Sequence, residues 1–141
     1  MLSRTTRSEL LAVADAGALV VLADRCLVSG PGPVLTLAPR LGTVPFCVRE
    51  PVVGERFLLA DVLATEAEVE HRGARGWAMR LGDDPAATLA AAICDAEAQS
   101  GEGLAPAVES LCLATRQRLD QEEAREWQEL EATVVRFEEL A

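Results

Sequence analysis

Three glutamates, Glu66, Glu68 and Glu70, recur at every second position, and Asp83 and Asp84 follow a short way on. Clustered carboxylates of this kind could hold a divalent cation or do acid–base work. On an extended strand, residues two apart stand ~6.5–7 Å from each other. Adjacent members then do not easily share one ion at ~2–2.5 Å, and a solvated or partner-facing acidic face is the simpler expectation. Nucleophilic chemistry needs a base beside the nucleophile, usually histidine. The single histidine, His71, closes an alternating run beside a turn and reads as an exposed turn residue. No G-x-S-x-G, P-loop or G-x-G-x-x-G pattern occurs, and the pair Gly30-x-Gly32 sits between prolines and reads as a linker. Cys26, Cys47, Cys94 and Cys112 form no close pair. A closed zinc site usually takes its ligands in such pairs, so the thiols are expected to be small buried hydrophobes, without disulfide, metal or cofactor. No catalytic residue is assigned.

The charge distribution limits the partners. The 141 residues carry a formal charge of −10. Residues 1–60 hold five acids and six arginines, and the remainder holds 18 acids and seven arginines. That second part repels nucleic acid and anionic membrane surfaces, so neither is expected as a partner. All 13 basic residues are arginine, and Lys, Asn and Tyr are absent, as a GC-rich coding sequence produces. No apolar run approaches the ~18 residues of a membrane span, and the first residues lack a secretory pattern. The expectation is a cytoplasmic protein of one domain, residues 1–141, large enough for its own core.

The elements that would position these residues can be read from capping and periodicity. Ser3, Thr5, Thr6 and Ser8 are possible N-caps of a first helix, Ala18 to Leu27 suits a second, and Ser29-Gly30-Pro31-Gly32-Pro33 stops it. Val34–Ala38 and Val44–Arg49 flank Pro39-Arg40-Leu41-Gly42 and read as one hairpin, with Pro45 confined to an edge. Asp61–His71 alternates, with Leu63, Thr65, Ala67 and Val69 on one side and the glutamates on the other. After Arg72-Gly73-Ala74 the alternation resumes, and a second hairpin is predicted. Its apolar face would add Trp77, Met79 and Leu81, while Arg80 would join the glutamates. Gly82-Asp83-Asp84-Pro85 starts a helix running to about Gln99. From Pro106 a long helical pattern carries Trp127 and Leu130 on its stripe, and Ala132–Leu140 suits helix or strand. The class is α+β: N-terminal helices, a small antiparallel sheet of two hairpins, then C-terminal helices. A C-terminal helix of twenty-five residues spans nearly 40 Å and overhangs a core of this size. That makes Trp127 and Phe137 candidate anchors in a partner and predicts a homodimer.

A set of weak motifs in a shared order adds a resemblance. Gly54-Glu55-Arg56-Phe57, Asp61, Thr65-x-Ala67-x-Val69, Gly76-Trp77, Gly82-x-Asp84, Asp95-Ala96 and Ala132-x-x-Val135-x-Phe137 occur in this chain. With Gly42 and Arg49 upstream, they resemble the PhnG family, the G subunit of the bacterial phosphonate carbon–phosphorus lyase system, over about residues 34–140. Two departures stand out: the family has arginine where this chain has Glu66 and Asp83. An anion or acidic surface met by those arginines would be met differently here.

The resemblance implies a non-catalytic subunit of a core complex with the H, I and J subunits. With H, I and L, that subunit supports synthesis of α-D-ribose 1-methylphosphonate 5-triphosphate from ATP and methylphosphonate. Arg49, Arg56 and Glu66 join Trp127 and Phe137 as partner-contact candidates. Two other readings are open at this point: a stand-alone protein-binding module, and a metal-dependent enzyme using the acidic hairpin face.

Overall fold

The computed structural model describes residues 1–134. Helices α1 (Arg4–Val13) and α2 (Ala16–Ser29) lead into strands β1 (Val34–Arg49), β2 (Arg56–His71) and β3 (Ala74–Leu81). Helices α3 (Pro85–Ser100) and α4 (Ala105–Ala132) follow. The architecture is α+β, with N-terminal helices, a central three-stranded antiparallel sheet in the order β1-β2-β3, and C-terminal helices. Each of the first three helices starts where a side chain takes up a free backbone donor. Ser3 Oγ accepts from the Thr6 N–H, Asp15 Oδ1 from Ala18 and Asp84 Oδ1 from Ala87. Pro85 then occupies the first turn of α3, where no donor is needed. Gly101, at φ 73°, ends that helix in the left-handed conformation.

The sheet is built differently from the two predicted hairpins in one respect. Val34–Arg49 is a single sixteen-residue strand and does not turn at Pro39–Gly42. Its partner is β2, joined by the turn at residues 50–55, so the first hairpin is β1–β2. Pro39 is accommodated because the pairing shifts register between Leu37 and Arg40, and a bulge lets a residue without an N–H sit in the strand. Pro45 lies on β1, which pairs with β2 alone and is a sheet edge. The second hairpin, β2–β3, turns at Arg72–Gly73.

Helix α3 lies on one face of the sheet, with α2, α4 and α1 packed around it. Nearly every residue from Ala87 to Glu97 is buried. On β2 the period of two holds: Thr65, Ala67 and Val69 are buried against the helices, and Glu70 is exposed. On β3 the predicted face is reversed. Trp77 pairs with Glu68 and Met79 with Glu66, so both share the glutamates' side. Gly76 and Ala78 turn towards α3 instead, and both are buried. The cause is the length of the turn. Arg72 and Gly73 both have positive φ, 50° and 70°, and His71 pairs directly with Ala74. A two-residue loop of this kind matches the strand twist, and it sets even-numbered residues of β2 opposite odd-numbered residues of β3.

His71 follows the same rule. It continues the Thr65, Ala67, Val69 row and is 1% exposed, not the surface residue expected. Register on β2 is therefore strongly specified. Val69→Asp is expected to lower unfolding free energy by about 3 kcal/mol or more, because an unpaired carboxylate would enter the core. Glu68→Ala is expected to change it by less than about 1 kcal/mol. Urea midpoints of the two variants check this ranking.

Candidate interaction surface

Two buried carboxylates hold the helices to the sheet. Asp95 is fully buried on α3, and its Oδ1 accepts from Arg7 Nε at 2.8 Å while Oδ2 accepts the Trp77 N–H at 3.1 Å. The Arg4 guanidinium lies 3.6 Å from Oδ2 and also donates to the Arg75 carbonyl. These side chains satisfy backbone groups along the free edge of β3, the kind of edge that otherwise templates unwanted pairing. Glu97 accepts from Arg72 Nε at 2.9 Å and from the Leu104 N–H at 2.6 Å. Arg72 also donates to the Ser29 carbonyl, which ties the β2–β3 turn to the end of α2. His71 Nε2 stands 2.9 Å from Glu97 Oε2, yet out of line for a hydrogen bond. Both ring nitrogens lack a hydrogen-bond partner among the described residues. Arg80, expected beside the glutamates, instead donates to the Leu11 and Ala14 carbonyls at 2.6 and 2.9 Å. It thereby satisfies the carbonyl end of α1.

Position makes two of the four thiols, Cys94 and Cys112, inert, and Cys47 departs from the burial expected of it. Cys26, Cys94 and Cys112 are buried, and Cys47 is exposed on β1. A hydrogen bond between Cys94 and Cys26 pushes the Cys94 thiol up, and burial pushes it further. Burial raises Cys112 to about 11. A thiol held protonated is a poor nucleophile and metal ligand.

The acidic face is occupied by this chain's own donors. Glu66 accepts from Trp77 Nε1 at 2.9 Å and from Arg40 Nη2 at 3.0 Å. The indole hydrogen bond, then Arg40, hold its carboxyl below the ordinary 4.5. Glu68 accepts from Thr36 Oγ1 at 2.9 Å, with Arg75 3.7 Å away. Carboxylates engaged in this way have few lone pairs left for a cation, and among the described residues no three acidic, thiol or imidazole side chains converge on a metal position.

What this chain leaves uncovered is apolar. Trp77, Met79 and Leu81 line an open groove of about 780 Å³ beside α1, with Ser8, Ala12 and Val13 on its other wall. Met79 also lines a smaller depression of about 340 Å³ with Arg40, Val44 and Glu66. The two make one strip across the sheet face opposite α3. Beyond it the β1–β2 ribbon runs on alone, and every residue from 51 to 61 is exposed. Phe46, Phe57, Leu58 and Leu59 are each about half exposed there. A two-stranded ribbon is marginal by itself in water, and contiguous apolar surface of this extent marks an interaction site. Glu50 closes its turn by accepting the Val52 and Val53 N–H groups at 2.7 and 2.6 Å. Those hydrogen bonds, that from Val53 foremost, lower its pKa.

The sequence-predicted contact residues fall at separate places. Arg49 and Arg56 stand directly opposite each other at the end of the ribbon. Glu66 lies mid-sheet, in the smaller depression. Trp127 is 60% exposed on the overhanging part of α4. Phe137 lies outside the described residues, as does most of the stretch Ala132–Leu140. α4 itself ends at Ala132. The groove beside α1 runs against the sequence expectation, which places Trp77 and Met79 in the core. The length of the Arg72–Gly73 turn was the signal that could have revealed it.

The fold is thus a helix-backed sheet whose buried polar groups serve packing and whose apolar face and ribbon are left uncovered by this chain. The family model of phosphonate metabolism protein PhnG matches residues 2–141. The chain belongs to the PhnG family, and with it to phosphonate metabolism and the carbon–phosphorus lyase system. No curated protein matched it significantly. No helix among the described residues is long and apolar enough to cross a membrane.

Proposed function

We propose that this chain is a non-catalytic subunit of a carbon–phosphorus lyase core complex, bound to H-, I- and J-type subunits. In that role it supports the synthesis of α-D-ribose 1-methylphosphonate 5-triphosphate from ATP and methylphosphonate. Family membership supports the phosphonate-metabolism part of this reading. The observation that carries the subunit role is the uncovered groove of Trp77, Met79 and Leu81. An apolar cleft with a polar rim is the usual form of a protein docking site. Arg4 and Glu9 supply that rim.

Co-expression with H-, I- and J-type subunits of a carbon–phosphorus lyase system, followed by affinity capture of this chain, tests the reading. All four are expected to co-purify in fixed proportion. Leu81 is 71% exposed, so Leu81→Asp is expected to keep the fold, read by circular dichroism, and to weaken capture at least about tenfold. A folded wild-type chain that captures none of the three, or a Leu81→Asp chain that captures them undiminished, would overturn the proposal.

A further inference from the structure

The outer edge of β3 is closed over one half of its length and open over the other. His71 and Ala74 close the two-residue loop, so even-numbered residues of β3 direct their backbone groups to β2 and odd-numbered ones direct theirs outward. Two contacts agree with this: Arg4 donates to the Arg75 carbonyl, and Asp95 accepts the Trp77 N–H. The same alternation turns the Trp77 carbonyl, the N–H and carbonyl of Met79, and the Leu81 N–H outward. Among the described residues β3 pairs with β2 alone, and none of these four groups has a partner. Arg4 reaches the edge from α1, so the open half lies between α1 and the groove side chains Trp77, Met79 and Leu81.

We infer that the groove takes an extended segment of a partner subunit, which joins the sheet as a fourth strand on the open edge of β3. The inference rests on the subunit reading and specifies the form of what docks. A helix satisfies its own backbone, so a helix in the groove would bury the four outward groups of β3 without partners, which is costly. A strand pairs them. Every second side chain of that strand lies beside Trp77, Met79 and Leu81 and is therefore apolar. The alternate side chains face α1, where Ser8 and Ala12 are small and leave room. Glu9 stands on that wall, exposed and without an ion pair among the described residues, so a basic residue of the segment is favoured there. A bare sheet edge invites wrong pairing. This chain covers one half of the edge with its own Arg4 and Asp95 and leaves the groove half for another strand.

Hydrogen exchange of the full chain, alone and in the complex captured with H-, I- and J-type subunits, reads the edge directly. In the chain alone the Met79 and Leu81 amides should exchange fast, while those of Ala78 and Arg80, bonded to β2, stay protected. In the complex Met79 and Leu81 should slow by at least about a hundredfold. Met79→Pro removes one outward donor and no bond to β2. It is expected to keep the fold, read by circular dichroism, and to weaken capture at least about tenfold, whereas Met79→Leu should capture like wild type. If Met79→Pro does not fold, the exchange measurement decides alone. A Met79 amide protected in the chain alone, one that exchanges equally fast in the complex, or a folded Met79→Pro chain that captures undiminished would each overturn the inference. Where one of these results accompanies loss of capture by Leu81→Asp, the groove docks its partner through side chains and the subunit reading stands. A wild-type chain that captures none of the three overturns that reading, and strand addition with it.

Discussion

Asp95→Ala is expected to lower the unfolding free energy by about 3–5 kcal/mol, the usual effect of removing one member of a buried ion pair. Asp95 is fully buried and Arg7 is 7% exposed. Without the carboxylate, the Arg7 guanidinium keeps Gln99 but loses its counter-charge. The Trp77 N–H loses its acceptor at the same time, leaving a half-buried donor unpaired. In a chain of this size the loss corresponds to a fall in melting temperature of about 10 °C. Asp95→Asn keeps the shape and one acceptor but not the charge, and should fall between Ala and wild type. Urea unfolding of Asp95→Ala, Arg7→Met and the double variant distinguishes this account from simple loss of packing. The two single costs should sum to well over that of the double variant, since removing both partners leaves no uncompensated charge. Additive costs would show that the pair is not coupled.

Gly76→Val is expected to prevent stable folding altogether. A Cβ placed on Gly76 runs into the Ala92 carbonyl oxygen and the Ala96 nitrogen, both backbone atoms of α3 that no rotamer change can move aside. Helix and strand would have to separate along the row of alanines that forms the centre of the core, and forced overpacking alone costs about 1–3 kcal/mol even where side chains can adjust. Gly42→Ala is the control. Its Cβ would meet nothing within 4 Å and its backbone is extended strand, so stability should stay within about 0.5 kcal/mol. Soluble yield and circular dichroism read the first variant, and thermal melting reads the second. A Gly76→Val chain that melts like wild type would mean that β3 does not lie on α3 at this distance.

Both effects have their origin in the composition of α3. Ala87, Ala90, Ala91, Ala92 and Ala96 are all buried on it. A helix faced with methyl groups packs closer to a sheet than one faced with leucine, and the opposing strand must then be small as well. Gly76 and Ala78 meet that need, and Trp77 and Met79 cannot. Ranking β3 residues by hydrophobicity therefore gives the wrong face, because the space available on each side decides burial here. The same reversal that corrects the core exposes the groove on which the subunit role rests.

Much of the chain was settled locally. Asp84-Pro85 starts α3 because a carboxylate caps free N–H groups and a proline lacks one, and Gly101 ends it because glycine adopts positive φ freely. The alternation in β2 determined that Val69 goes in and Glu70 stays out, since the reverse would bury three carboxylates. The same alternation set Glu66 on the side away from Thr65 and Ala67, and the motif order pointed to the family. Tertiary structure decided the rest. Pro39 and Gly42 signal a turn by themselves, but β1 passes straight through them because pairing along the length of β2 outweighs a local preference and a bulge absorbs the proline. His71 is buried because β2 continues the Thr65, Ala67, Val69 row under the helices as far as the turn, and Arg80 faces α1 because the two-residue loop turns β3 over. Whether Asp95 and Glu97 belong to an acidic surface or to the core depends on arginines 88 and 25 positions away in the chain. Pattern within a segment specifies which residues share a face, and only the packing of segments against one another specifies which face is buried.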